Sequence, residues 1–157
     1  ERFDLSCVGE DGKPERIAMI HAAIMGSIER FIAILIEHYA GAFPLWLAPV
    51  QISLLPISDK VKSYCLDTLR EIRRHDIRVT LDDRNESIGK KIREAELQKI
   101  PYLLIIGERE AGARTVSVRK RAKGDIGAMP LSKFLSLAKS EIETRGVSPA
   151  GPKAGTR

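Results

Sequence analysis

The residues best suited to chemistry are basic, and they are concentrated. Between Glu108 and Asp125 stand six cations, Arg109, Arg114, Arg119, Lys120, Arg121 and Lys123, against three acids, Glu108, Glu110 and Asp125. From Ser117 to Lys123 there are four positive charges and no negative one. Residues Thr115 to Arg121 alternate, Val116 and Val118 against Ser117, Arg119 and Arg121, which is the period of a strand with one face buried. On such a strand Arg119 and Arg121 share a face, and two guanidinium forks side by side suit phosphate oxygens or a base edge. A solvated edge strand defended by charge fits the same pattern. A second polar set, Arg84, Asn85, Lys90, Lys91 and Arg93, falls on a turn and the helix that follows it. Amides and arginines mixed in this way suit single-stranded bases as well as backbone.

Nearer the start, His21, Ser27, Glu29 and Arg30 are the groups with chemical potential. A single histidine at a strand-to-helix junction is more often structural than a ligand. Gly26, four residues before Arg30, stands where a helix face should have bulk, which suggests close approach of something flat or tight helix packing. Cys7 and Cys65 are 58 positions apart and read as reduced, buried thiols.

These groups must be carried by recognisable elements. Phe3, Leu5 and Cys7 alternate with Arg2, Asp4 and Ser6, and Gly9-Glu10-Asp11-Gly12 is turn chemistry, so residues 2–20 read as a β-hairpin. Two strands cannot bury a face alone. The hairpin is therefore expected to be the end of a larger sheet whose other strands are absent from the chain. From His21 onward Ile24, Ile28, Phe31, Ile32, Leu35 and Tyr39 recur at three and four, the pattern of an amphipathic helix that Gly41 and Pro44 stop. Residues 42–49 are apolar without period and read as a connector.

A second unit is expected over 50–144. Val50–Leu55, Ile77–Leu81 and Tyr102–Ile106 read as buried strands, separated by helices whose inner faces carry Val61, Cys65, Leu69 and Ile72, then Ile88, Ile92, Ala95 and Leu97. Alternation of strand and helix implies right-handed crossovers and a parallel sheet core. A last helix is expected over Leu131–Thr144, and residues 145–157, rich in Gly, Pro, Ala and Lys, read as a disordered tail. The fold class is thus α/β: a mixed, mainly parallel sheet flanked by helices, preceded by a hairpin and helix.

Composition narrows the function. Of 157 residues 43% are apolar and 30% charged, so a core can form. Aromatics are only 5%, which argues against base stacking on aromatic platforms as the main device. The net charge of +5 permits a polyanionic partner without requiring one. No apolar stretch approaches the roughly 20 residues of a membrane span, and no basic-then-apolar leader opens the chain, so a cytoplasmic setting is expected. No phosphate loop of the G-x-x-x-x-G-K-[ST] kind occurs.

Several segments, taken in order, resemble one family. Residues 19–31, Met-Ile-His-Ala-Ala-Ile-Met-Gly-Ser-Ile-Glu-Arg-Phe, resemble motif 3 of the class II aminoacyl-tRNA synthetases in their threonyl form. Residues 36–51 resemble that family's junction between catalytic and anticodon-binding domains. Asp82–Glu86 with Ile88–Ala95, Gln98–Tyr102 and Val116–Arg119 resemble its anticodon-binding domain. The resemblance runs from residue 1 to about 145, with 1–41 as the end of an antiparallel-sheet catalytic domain.

That resemblance implies roles. Arg30 corresponds to the motif 3 arginine that contacts ATP phosphates during adenylation, with Gly26 and Ser27 beside it in the ATP site. Fixed positive charge there stabilises the phosphoryl group as negative charge gathers on it. His21 lines up with one of three protein ligands of a catalytic zinc, which tells threonine from isosteric valine by its hydroxyl. Asn85, Arg93, Arg109, Glu110 and Arg119 correspond to positions that contact the anticodon of threonine tRNA. The implied cofactors are zinc and ATP with magnesium, and the implied assembly is a homodimer of the full-length enzyme. Ala22 departs from the pattern, which has arginine after the zinc histidine, and Arg109 stands where lysine is common. Motifs 1 and 2 and the other zinc ligands are absent, so the chain alone is expected to be inactive.

Three functions compete at this point. The first is the C-terminal portion of threonine–tRNA ligase, which recognises the anticodon for ATP-dependent threonylation. The second is a free-standing RNA-binding or adaptor module derived from such an enzyme, and the third a small α/β ligand-binding domain with a basic edge.

Overall fold

The structure is a computed structural model that describes residues 5–146; the first four residues, and the expected tail beyond Gly146, lie outside the described residues. The chain divides into two compact units between Ile34 and Leu35.

In the first unit β1 (Ser6–Val8) and β2 (Pro14–Arg16) pair antiparallel, with Ser6 opposite Arg16 and Val8 opposite Pro14. The turn is closed by the Gly9 N–H, which donates to the Lys13 carbonyl at 2.9 Å, and by the Asp11 carboxylate, which accepts from the Lys13 N–H at 3.1 Å. The helix α1 (Ile28–Tyr39) crosses the division between the units and begins later than its apolar spacing suggests. Ile24 sits in a bend, Gly26 adopts φ +61°, and Ser27 Oγ stands 3.5 Å from the Arg30 N–H as an N-cap. A left-handed residue followed by a capping serine ends helical continuity toward the N-terminus whatever the side-chain period. Gly26 is therefore a turn residue outside the helix, not a gap in its face. Cys7 is exposed, contrary to the expected buried thiol, and α1 has no buried residue.

The second unit is built on one sheet. Its strands are β3 (Ile52–Pro56), β4 (Val79–Leu81), β5 (Tyr102–Ile106), β6 (Thr115–Lys120) and β7 (Gly124–Pro130), in the spatial order β4-β3-β5-β6-β7. The first three are parallel, with Ile52 opposite both Val79 and Tyr102, and β6 and β7 are antiparallel additions. Gly124–Pro130 forms a strand that the glycine spacing concealed. It makes β7 the edge and β6 an interior strand, so the edge-strand reading of Thr115–Arg121 does not hold. Between β5 and β6 lies a short helix, α4 (Glu108–Ala113).

Three longer helices cover the sheet: α2 (Lys62–Arg73), α3 (Ile88–Leu97) and α5 (Leu131–Glu143). The chain steps from β3 to β4 in one direction and then back across β3 to β5. Crossovers of one hand put the two connecting helices on opposite sides when the direction reverses. So α2 and α5 lie on one side, where Cys65, Leu69, Ile72, Phe134 and Ala138 pack on Ile52, Leu54, Tyr102, Leu104 and Val118. On the other side α3 packs alone, through Ala95 against Leu55, Ile100 and Leu103, with Ile88 and Ile92 at the margin.

The irregular connector is bound to this unit by side chains. Gln51, 1% exposed, donates from Nε2 to the Leu45 carbonyl at 2.7 Å and accepts the Arg78 N–H on Oε1 at 2.8 Å. The Arg78 guanidinium donates to the carbonyls of Ala48 at 3.0 Å and Trp46 at 2.9 Å. Backbone carbonyls outside any ladder need such donors when water is excluded.

Two outcomes follow from the core. Phe134 is fully buried, with its ring edge-on to Tyr102 at 5.3 Å. Phe134→Ala should lower the unfolding free energy by about 3–5 kcal/mol in urea titrations; a loss under about 1 kcal/mol would contradict this packing. Burial also pushes the Cys65 thiol up to about 11 from 9.0. The folded state then holds the proton more tightly than the unfolded one. Its contribution is intact below pH 9.0 and is lost as the pH rises toward 11. A thiol reagent should accordingly label Cys7 in the native protein and Cys65 only after unfolding, and the alkaline fall in stability should be smaller in Cys65→Ala.

Candidate nucleic-acid interface

One helix cannot cover a five-stranded sheet. α3 presents Ile88, Ile92 and Ala95 at i, i+4 and i+7, one stripe of an amphipathic helix, and Ser87 caps its first turn by accepting the Lys90 N–H at 3.4 Å. That stripe seats on β3 and β5. Ile105 packs on the same side, and its partner across the ladder is Ser117, which in turn pairs with Ala128. Leu103, also on this side, pairs with Arg119. Residues paired across an antiparallel ladder point to the same face. Ser117, Arg119 and Ala128 therefore form a partly exposed floor beside α3, on the half of the sheet that no helix among the described residues covers.

The structure sorts the basic residues into engaged and free. Arg84 is clamped between two acids, with Nη2 2.7 Å from Asp82 and 2.6 Å from Glu94. The hydrogen bond from Arg84 holds the Asp82 carboxyl below the usual carboxylate range. Lys90 pairs with Glu86 at 2.6 Å. Lys91 is 4% exposed, and its ammonium donates to the Pro56 carbonyl at 3.2 Å, tying α3 to the end of β3. Lys120 points to the other side of the sheet, 2.7 Å from Glu141 and over the Tyr102 ring. Arg121 lies in the turn beyond β6, where its guanidinium donates to the carbonyls of Ala42 at 2.9 Å, Phe43 at 2.7 Å and Lys99. The expected pair of forks, Arg119 beside Arg121, is thus not formed: the bonds of Arg121 hold the connector. Among the described residues Arg93, Arg109, Arg114 and Lys123 make no ion pair.

The five positions implied by resemblance fall on the loop after β4, on α3, at the start of α4 and on β6. Asn85 is exposed in the loop after β4, and Arg109 and Glu110 open α4 after β5, so all three stand at the C-terminal end of the parallel strands. Glu110 is half-buried, and its Oε2 accepts the Gly107 N–H at 2.9 Å, which fixes the start of α4. Arg119 lies lower on β6, where its Nε donates to Glu96 Oε1 at 2.9 Å. Arg93 is exposed on α3, three residues before Glu96 and on the same flank of that helix. α3 is about 15 Å long. Glu96 was not singled out by sequence reasoning. Its spacing from Arg93 was legible, but its pairing with a residue on β6 was not.

The N-terminal candidates are less organised. Ser27 Oγ donates to Glu29 Oε2 at 2.9 Å and caps α1, and Arg30 is exposed in the first turn. His21 is exposed, and among the described residues no group of three His, Cys, Asp or Glu side chains is placed to hold a metal. A closed tetrahedral zinc site needs several such ligands converging on one point, so the described residues do not by themselves fit zinc at His21.

Comparison with known proteins places this geometry. Residues 51–141 match the family model described as an anticodon binding domain. The chain is similar to a threonine–tRNA ligase of Clostridium novyi, 55% identical over 92% of this chain and 23% of the relative. It is similar also to one of Symbiobacterium thermophilum, 53% identical over 99% of this chain and 24% of the relative. The chain thus spans about a quarter of the length of the curated relatives it matches. Among solved structures, the RNA binding domain of threonyl-tRNA synthetase from Cryptosporidium parvum superposes with a TM-score of 0.70 at 37% identity, covering 75% of this chain and 30% of that one. Prolyl-tRNA synthetase from the same organism superposes less closely, with a TM-score of 0.59 at 26% identity over 64% of this chain and 22% of that one. With three parallel strands, two antiparallel ones and a half-covered face in the matched segment, the chain belongs to the anticodon binding domain family.

Proposed function

We propose that this chain is the C-terminal portion of a threonine–tRNA ligase and that the uncovered half of its sheet reads the anticodon of threonine tRNA for ATP-dependent threonylation. One observation carries the reading: Arg93 on α3, Arg109 at the start of α4 and Arg119 on β6 keep guanidinium donors without a protein partner among the described residues, as does Arg114, whereas Arg84, Lys90, Lys91, Lys120 and Arg121 are held by protein groups. Exposed guanidinium donors beside an open sheet surface suit splayed single-stranded bases. The exposed apolar residues before the second unit, among them Ile20 at 93% and Ile24 at 91%, support a chain that continues an enzyme's catalytic domain. In that enzyme Gly26, Ser27 and Arg30 would meet ATP with its magnesium, and His21 would join zinc ligands from outside this chain. The enzyme would act in the cytoplasm as a homodimer. No helix among the described residues is long and apolar enough to cross a membrane.

The test contrasts a free cation with a held one. Arg93→Ala should weaken binding to the anticodon stem-loop of threonine tRNA by about 1–3 kcal/mol if it contacts a base, or lower the salt slope by about 0.7 if it contacts a phosphate. Lys120→Ala should leave RNA affinity unchanged and reduce stability, because its partner Glu141 lies on the opposite side of the sheet. Equal losses from both variants, with no preference among anticodon sequences, would leave only a generic polyanion surface.

A further inference from the structure

Arg119 is held at one end and open at the other. Its Nε donates to Glu96 Oε1 at 2.9 Å, while neither Nη1 nor Nη2 has a partner among the described residues. The guanidinium is planar and rigid, so a bond at Nε sets the plane and leaves the Nη1–Nη2 edge as a two-donor fork. The backbone beneath it is irregular as well. Val118 pairs with Gly127 but Arg119 pairs with Asp125, so Ile126 is an extra residue in β7, and Gly127 takes φ +95°. A bulge of this kind bends the strand locally and re-aims the side chains beside it. Both side chains of the pair remain accessible, Arg119 at 35% and Glu96 at 49%.

A carboxylate on a surface for polyanions is unfavourable to any RNA. Removing it should raise affinity by charge alone. Its presence calls for a compensating role, and the geometry offers one. We infer that Glu96 is a positioning residue: it orients the Arg119 fork toward a base edge with two adjacent acceptors, and it lowers affinity for all RNA in exchange for discrimination. The inference rests on the reading that this face binds an anticodon.

The experiment titrates the wild-type chain, Glu96→Ala and Glu96→Gln against the matched anticodon stem-loop and against loops changed at the base where Arg119→Ala abolishes discrimination. Glutamine keeps an acceptor for Nε without the charge; alanine removes both. Glu96→Ala should bind the changed loops more tightly than wild type, and its matched-to-changed affinity ratio should fall about fivefold or more. Glu96→Gln should gain affinity for every loop and retain most of the ratio. If both variants gain equally for all loops and keep the wild-type ratio, the positioning role is wrong while the anticodon reading stands. If the wild-type chain shows no ratio at all, the anticodon reading falls and this inference with it. Thermal unfolding of each variant separates loss of fold from loss of orientation.

Discussion

The seating of α3 on β3 and β5 is the contact on which the functional surface depends. The strand order requires it: with β3 between β4 and β5, the second crossover must pass on the side opposite the first. α3 is then alone on that side, while α2 and α5 share the other. A ten-residue helix with one apolar stripe covers two or three strands, and the antiparallel additions β6 and β7 extend the sheet beyond it. The open floor is thus a consequence of topology and of the width of one helix. Its polarity follows, because side chains on uncovered strands must tolerate water.

Local pairing then determines which charges matter. A net charge of +5 says little about recognition. The acids Asp82, Glu86, Glu94 and Glu141 neutralise Arg84, Lys90 and Lys120; the exposed pairs contribute little stability but hold side chains in place, whereas Lys120–Glu141 is part-buried. The clamp ties Arg84, next to Asn85 in the loop after β4, to Glu94 on α3. Burial draws Lys91 and Arg121 away from solvent and satisfies them with carbonyls, and desolvation lowers the pKa of the Arg121 guanidinium. What remains unpaired among the described residues is a small set of donors: Arg93, Arg109, Arg114 and Lys123, with the Nη groups of Arg119.

The connector shows the same economy of donors. Residues 42–49 have no ladder of their own, yet Leu45 and Ala48 are buried. Gln51, Arg78 and Arg121 supply the donors that their neighbouring carbonyls need. Two of these are arginines that, judged by charge alone, would be assigned to a ligand.

Periodicity alone determined much of the second unit. The strands around Ile52, Val79 and Tyr102, the helices through Leu69, Ile92 and Phe134, and the α/β class all followed from apolar spacing, since burial of a stripe or a face imposes it. Resemblance of residues 19–51 and 82–119 supplied the family and the five candidate positions. Other features did not follow from apolar spacing. β7 was hidden because Gly124, Gly127 and Pro130 carry no strand propensity, and its pairing with β6 supplies the order instead. The start of α1 at Ile28 was set by Gly26 and Ser27, against an apolar pattern that continued past them. Charge patterning made Arg119 and Arg121 equals, whereas the fold gave one a carboxylate beside an open floor and the other three carbonyls. The physical reason is range: spacing along a chain reports on neighbours within a turn or a strand, but the partner of a charged side chain is chosen by whichever element the fold brings within hydrogen-bond distance. Glu96 and Arg119, 23 residues apart, meet only because α3 and β6 flank the same strand.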